Sequence, residues 1–166
     1  MNSNQISRLL ALLIVNGSFI LSTKHTLAQE YPIITNPQNN HRYLLSPPMT
    51  WAEANNFARN MGGYLVTIND RWENQWLVDT FITEDTTFLW IGINDRYQEG
   101  KFCWLSDEQP DYLNWTVGEP NNNPQQGGED FGAINGYANP FNRPVGQWSD
   151  APKQAKLQGI IEIPSN

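Results

Sequence analysis

Phe88-Leu-Trp-Ile-Gly-Ile93 is a continuous apolar run of strand length, the pattern of a strand covered on both faces. What flanks it sets the fold class. Upstream, His41-Arg-Tyr-Leu-Leu45 reads as a short strand closed by Pro47-Pro48. Thr50-Trp-Ala-Glu53 is a capping box, in which the Thr oxygen caps a helix and Glu53 returns to the Thr50 amide. Trp51, Ala54, Phe57, Ala58 and Met61 recur at helical spacing, and Gly62-Gly63 end that helix. Tyr64-Leu-Val-Thr-Ile68 alternates like a strand. A second helix starts near Asp70, with Trp72, Trp76, Leu77 and Phe81 on one apolar face read as core packing. Downstream, Lys101–Leu105 is expected to pair with the 88–93 strand. Asp130–Ile134, Gly146–Ser149 and Leu157–Ile163 supply three more strands. Strand, two helices, then strands around a long loop describe one α+β domain.

The loop runs from Ser106 to Gly128 with few aliphatic residues and with Pro, Asn, Gln and Gly throughout. Irregular stretches of that length inside a domain are usually functional or disordered. The whole chain of 166 residues is 39% hydrophobic and 16% charged, long enough for a real core. Its net charge of −7 argues against a nucleic-acid or anionic-membrane binder. A single cysteine excludes a disulfide framework and a Cys₄ zinc site. That residue, Cys103, lies in the apolar run Lys101-Phe-Cys-Trp-Leu105 and reads as a buried, inert thiol.

Residues 1–28 read as a secretory signal peptide. Arg8 precedes Leu9-Leu-Ala-Leu-Leu-Ile-Val15, apolar character resumes at Phe19-Ile-Leu21, and Thr26-Leu-Ala28 offers a small-residue exit. Asn16, Gly17 and Ser18 interrupt a stretch already shorter than the roughly 20 residues of a membrane span. Removing it takes away Arg8 and Lys24 and no acid, so the remaining 138 residues carry a net charge of −9. The expected organisation is a lead-in over 29–40 and one domain over 41–166, with no membrane span after cleavage. The expected location is secreted or periplasmic.

Acidic residues gather in the loop-rich half. Asp95, Glu99, Glu119, Glu129, Asp130 and Asp150 are interleaved with Asn121, Asn122 and Asn123. Carboxylates and amide carbonyls are hard oxygen donors that suit calcium, with its six to eight ligands, and zinc would want His or Cys. By spacing alone, a calcium site and a set of merely solvated loop acids both remain open.

Leu89-Trp-Ile-Gly-Ile93, Asn114-Trp115, Glu119-Pro-Asn121, Gly128-Glu-Asp130 and Trp148-Ser-Asp150 stand in the order seen in C-type lectin-like domains, which the chain resembles. Tyr43, Thr50-Trp51 and Gly62-Gly63-x-Leu65 resemble that family's opening strand and helix. The resemblance implies two helices flanking antiparallel sheets, with Ca2+ in the long loop. It implies Glu119, Asn121, Glu129, Ser149 and Asp150 as shared calcium and carbohydrate residues. Glu-Pro-Asn is the mannose-type version, whereas galactose binders typically carry Gln-Pro-Asp. The Pro120 peptide bond is usually cis in the family. A second, structural calcium is implied at Asp95, Glu99, Asn122, Glu129 and Asp130, with Asn122 where an Asp is typical.

Three departures qualify the match. Ser149 stands where the lectins usually have Asn, so a hydroxyl or a water must fill that place. The stretch Asn123–Gly128 is about two residues longer than in compact members. The two usual disulfides are absent, with Ala58 and Ile161, and Phe131 and Lys153, at their positions, as in a bacterial-type, cysteine-free member. The function implied is an exported, calcium-dependent module for mannose-type glycans. The alternative is a domain of the same fold that binds a protein ligand or mediates adhesion, with calcium only structural. A glycosidase using Glu119 and Glu129 is disfavoured, because calcium would hold both acids ionised and leave no general acid.

Overall fold

In the computed structural model, which describes residues 31–165, the Thr50 hydroxyl accepts from the Glu53 amide while Glu53 accepts from the Thr50 amide at 2.9 Å. The capping box is therefore formed, and it starts α1 (Trp51–Asn60). Asp70 caps α2 (Arg71–Phe81) by accepting from the amides of Trp72 and Glu73. The strands are β1 (Ile34–Thr35), β2 (Arg42–Leu45), β3 (Tyr64–Leu65), β4 (Phe88–Asn94), β5 (Phe131–Asn135), β6 (Trp148–Ala151) and β7 (Gln158–Ile163). They form one sheet in the order β1-β2-β7-β4-β5-β6, with β3 also on β7. All pairings are antiparallel except β4 with β7, where Leu89 faces Gln158 and Trp90 faces Gly159. The sheet is thus mixed at its centre. The leader expected at 1–28 lies outside the described residues.

Alternation along β4 splits the core between the two sheet faces. Leu89, Ile91 and Ile93 pack with Leu77, Val78 and Phe81 of α2. Trp90 packs with Trp51, Ala54 and Ala58 of α1. The strand is indeed covered on both faces, as its unbroken apolar run requires. Buried indoles find partners: Trp51 donates to the Ile91 carbonyl at 2.8 Å and Trp148 to Asn74 Oδ1 at 2.8 Å. Gly92 is required by close approach, since a Cβ there would stand 2.4 Å from the Leu65 carbonyl oxygen.

Where disulfides were expected to be missing, apolar packing takes over in part. Ala58 and Ile161 are both fully buried in one cluster. Phe131 is paired across the sheet with Ala151, and Lys153 is exposed. Three expectations need correction. Trp72 leaves the apolar face: the residue is 60% exposed, with the Arg71 guanidinium 4.4 Å from its ring centroid. Cys103 is exposed, not buried. The Lys101–Leu105 strand reduces to one bridge between Cys103 and Asn94, with Trp104 turned into the core and Cys103 turned out.

Candidate functional site

Three strand ends and one loop bring the predicted residues together. β4 ends at Asn94, and the next amide, Asp95 N, donates to the Asp130 carbonyl at 3.1 Å just before β5. On β6, Ser149 and Asp150 face Ala133 and Gly132. The stem of the long loop clamps onto β6, with Thr116 N donating to the Trp148 carbonyl and Trp148 N to the Asn114 carbonyl, both at 2.8 Å. Its crest then passes over Asp150, whose two carboxylate oxygens accept from Asn121 N at 3.0 Å and Asn122 N at 2.7 Å. Glu129 Oε2 accepts from Asn123 N at 3.0 Å, and Asn122 Oδ1 accepts from Glu129 N at 2.9 Å. The Glu119–Pro120 peptide bond is cis.

Glu119 is the most unusual group. Its side chain is 5% exposed. Oε1 accepts from Asn121 Nδ2 at 2.7 Å and from the Arg143 guanidinium, whereas Oε2 is buried without a partner. Burial pushes its carboxyl up to about 7, the neighbouring Asp150 adds to this, and Arg143 opposes it. Burial and then Asp150 also raise Glu129, partly countered by the Asn123 amide. Asp95 is buried, with Oδ2 accepting from Gly100 N at 2.8 Å and Oδ1 unpartnered. Its carboxyl is raised by burial and by Asp130 and Asp150. At the surface, Glu99 is raised by desolvation and by Asp95, Asp130 and Asp150.

Apart from Arg143 on Glu119, these carboxylates raise one another with no ion pair to offset them, which is the condition a further cation relieves. The donors are all hard oxygens, so they fit calcium by chemistry. Among the described residues, no three His, Cys, Asp or Glu side chains converge tightly enough to hold a metal by themselves. Asn121 and Asn122 add their side-chain amides to the same loop crest. Ser149 sits on β6 with its side chain engaged by a neighbour. Its buried hydroxyl donates to Asn135 Oδ1 at 2.9 Å, and Asn135 in turn donates to Thr116 Oγ1 at 2.8 Å. Ser149 still lines, with Asn121, Glu129, Arg143 and Asp150, a cavity of about 200 Å³ beneath the loop. Arg143 and Asn135 went unread in the sequence, since each meets its partner across a gap that no local motif marks.

A second set of buried acids lies outside this site. Tyr43 OH donates to Glu73 Oε1 at 2.7 Å, and Glu162 accepts from Thr67 N at 3.0 Å and meets His41 Nδ1 at 2.6 Å. Burial raises both carboxyls, Glu162 to about 7.

The pattern of the Lectin C-type domain matches residues 47–158. The perlucin-like protein of Mytilus galloprovincialis is 38% identical over 99 residues, covering 56% of this chain and 63% of that protein. The chain spans less than two thirds of the length of this and the other first curated relatives it matches. The mouse scavenger receptor C-type lectin carbohydrate-recognition domain superposes with a TM-score of 0.66 at 28% identity, covering 84% of this chain and 97% of that one. The cow carbohydrate-recognition domain of CD23, solved in the presence of a GlcNAc2Man3 oligosaccharide, gives 0.65 at 27% identity, covering 76% and 89%.

Proposed function

From a chain that belongs to the C-type lectin domain family, we propose an exported, calcium-dependent carbohydrate-binding module of mannose type. The family is one of lectins, not enzymes, and its members generally bind Ca2+. In this reading Glu119, Asn121, Glu129 and Asp150 hold the ion that meets sugar, with Ser149 at the edge of the site. Asp95, Glu99, Asn122, Glu129 and Asp130 hold a second, structural ion. Calcium bound at the first set offers coordination to two neighbouring sugar hydroxyls. Around it, Asn121 has an amide to donate and Glu129 a carboxylate to accept, which together orient those hydroxyls.

One observation carries the reading. Glu119 and Asp150, from the loop crest and from β6, stand close enough for Asp150 to raise the Glu119 carboxyl, and Glu119 Oε2 has no partner. Two adjacent buried carboxylates with one guanidinium, on Glu119, and a free oxygen still hold excess negative charge, which a divalent cation would offset. Export through residues 1–28 belongs to the same proposal, and no described helix is long and apolar enough to cross a membrane.

The second reading, a module that binds protein with calcium only structural, draws on Ser149 and Glu119 Oε1. Both are already engaged, by Asn135 and Arg143. A glycan array run with calcium and then with chelator separates the two. Retention on mannose-type glycans that chelator abolishes is the expected result. Retention that survives chelation overturns the calcium-dependent reading, and an array that stays blank although calcium binds transfers the case to the protein-binding reading.

A further inference from the structure

The cation that the carboxylates of this site hold in the present structure is Arg143. It comes from the segment between β5 and β6, and that segment fixes its backbone from both sides. Arg143 N donates to Asn139 Oδ1 at 2.9 Å, and Asn139 Nδ2 donates to the Arg143 carbonyl at 3.0 Å and the Gly136 carbonyl at 2.6 Å. Asn139 is itself buried. The guanidinium lies 4.7 Å from the Phe141 ring centroid, and the Arg143 side chain is 21% exposed. Held at its backbone and at its head, it reaches Glu119 across 24 positions of sequence. With Asn121 Nδ2, it occupies Glu119 Oε1 and leaves only Oε2 free.

We propose that Arg143 is the resident counter-cation of the site: it neutralises Glu119 in the ion-free protein and competes with a divalent ion for that carboxylate. A dication coordinated by Glu119 Oε2 places two like-signed centres on one carboxylate, so the guanidinium must loosen or be repelled. Arg143 is thus a positioning residue that sets calcium affinity by acting through Glu119. This rests on the reading of Glu119 as a calcium ligand.

Calcium titration calorimetry on the full chain, for wild type, Arg143→Gln and Arg143→Lys, tests it alongside melting in chelator. Arg143→Gln is expected to tighten calcium by roughly tenfold, the scale of one charge-assisted hydrogen bond. The same variant should melt lower than wild type in chelator, with the deficit shrinking in saturating calcium. Arg143→Lys, which keeps the charge, should stay near wild type. An arginine with a merely structural role would lower melting in both conditions and weaken calcium, and that result overturns the inference. Unchanged affinity in Arg143→Gln, with calcium still bound by wild type, also overturns it and leaves the functional reading standing. Calcium binding by Arg143→Gln alone supports the inference and overturns the functional reading for the native chain. Binding by none of the three overturns both.

Discussion

Replacing Asp150 with Ala should unfasten the crest of the long loop even when no ion is bound. Asp150 is 3% exposed and accepts two backbone hydrogen bonds, from Asn121 N at 3.0 Å and Asn122 N at 2.7 Å. Hydrogen bonds to a charged group contribute about 1.5–3 kcal/mol each. Against that loss stands a gain, because the Asp150 charge raises the carboxyls of Glu119, Glu129, Asp95 and Glu99. Two bonds lost and one source of repulsion removed leave a net cost of about 2–4 kcal/mol. For a domain of this size that corresponds to a melting midpoint lower by roughly 10 °C in chelator. Hydrogen exchange supplies the local readout: the amides of Asn121 and Asn122 should exchange as exposed amides do, while those of β4 stay protected. Calcium should no longer bind. A midpoint in chelator within about 2 °C of wild type, with Asn121 and Asn122 still protected, refutes the account of how the loop is held.

Three further outcomes follow from the same geometry. Calcium affinity should fall as pH drops from 8 through about 7, because the Glu119 carboxyl is held up to about 7 and its proton must leave before an ion binds; calorimetry in buffers of different ionisation heat should count the released proton. The ion-free fold should show the opposite slope. Glu119 and Glu162 have folded values raised above their unfolded ones, so their contribution is full below about 4.5 and is lost as pH rises through about 7. Melts of Glu162→Gln in chelator across that range should show a shallower pH dependence than wild type. Ser149→Asn should direct an amide toward the cavity beneath the loop, where its nitrogen can replace the hydroxyl on Asn135 and its carbonyl can face the ion. Calcium should tighten by roughly threefold to tenfold, and an affinity that is unchanged or weaker takes Ser149 out of the site.

Elements that depend on local chemistry were legible in the sequence. The Thr50–Glu53 box and the spacing of Trp51, Ala54 and Ala58 place α1 on the sheet because capping and periodicity act within a few residues. The run at 88–93 announces a strand buried on both faces for the same reason. Periodicity failed at Trp72, which sits in the first turn of α2, where Arg71 and not the sheet covers its ring. It failed at Cys103 because an apolar run was read as buried throughout, whereas its alternation turns Phe102 and Trp104 inward and Cys103 out. In the site, the acids and asparagines were legible as a donor set, and the fold brings them to the ends of β4, β5 and β6. Their partners were not. Arg143 meets Glu119, and Asn135 meets Ser149, through tertiary placement of two loops and a strand pair, which leaves no spacing signature.

The loop crest is organised by its own acidic and amide side chains, with no disulfide among the described residues to hold it. Asp150 ties down Asn121 and Asn122, Glu129 ties down Asn123, and Asn122 closes the circuit by accepting from the Glu129 amide. The side chains that order the loop backbone are therefore the donors proposed for calcium. The two uses are compatible, because an ionised carboxylate has about four lone-pair sites and two amide donors leave the remaining pair open. Glu119 differs from Asp150 in this respect. Its Oε1 is engaged by two side-chain donors and its Oε2 by none, so the balance of charge at this one residue is set by Arg143 and not by the backbone. Asp150 and Glu129 thus combine loop ordering with their proposed place at the ion, whereas Glu119 orders no backbone amide of the loop and is balanced by Arg143 alone among the cations.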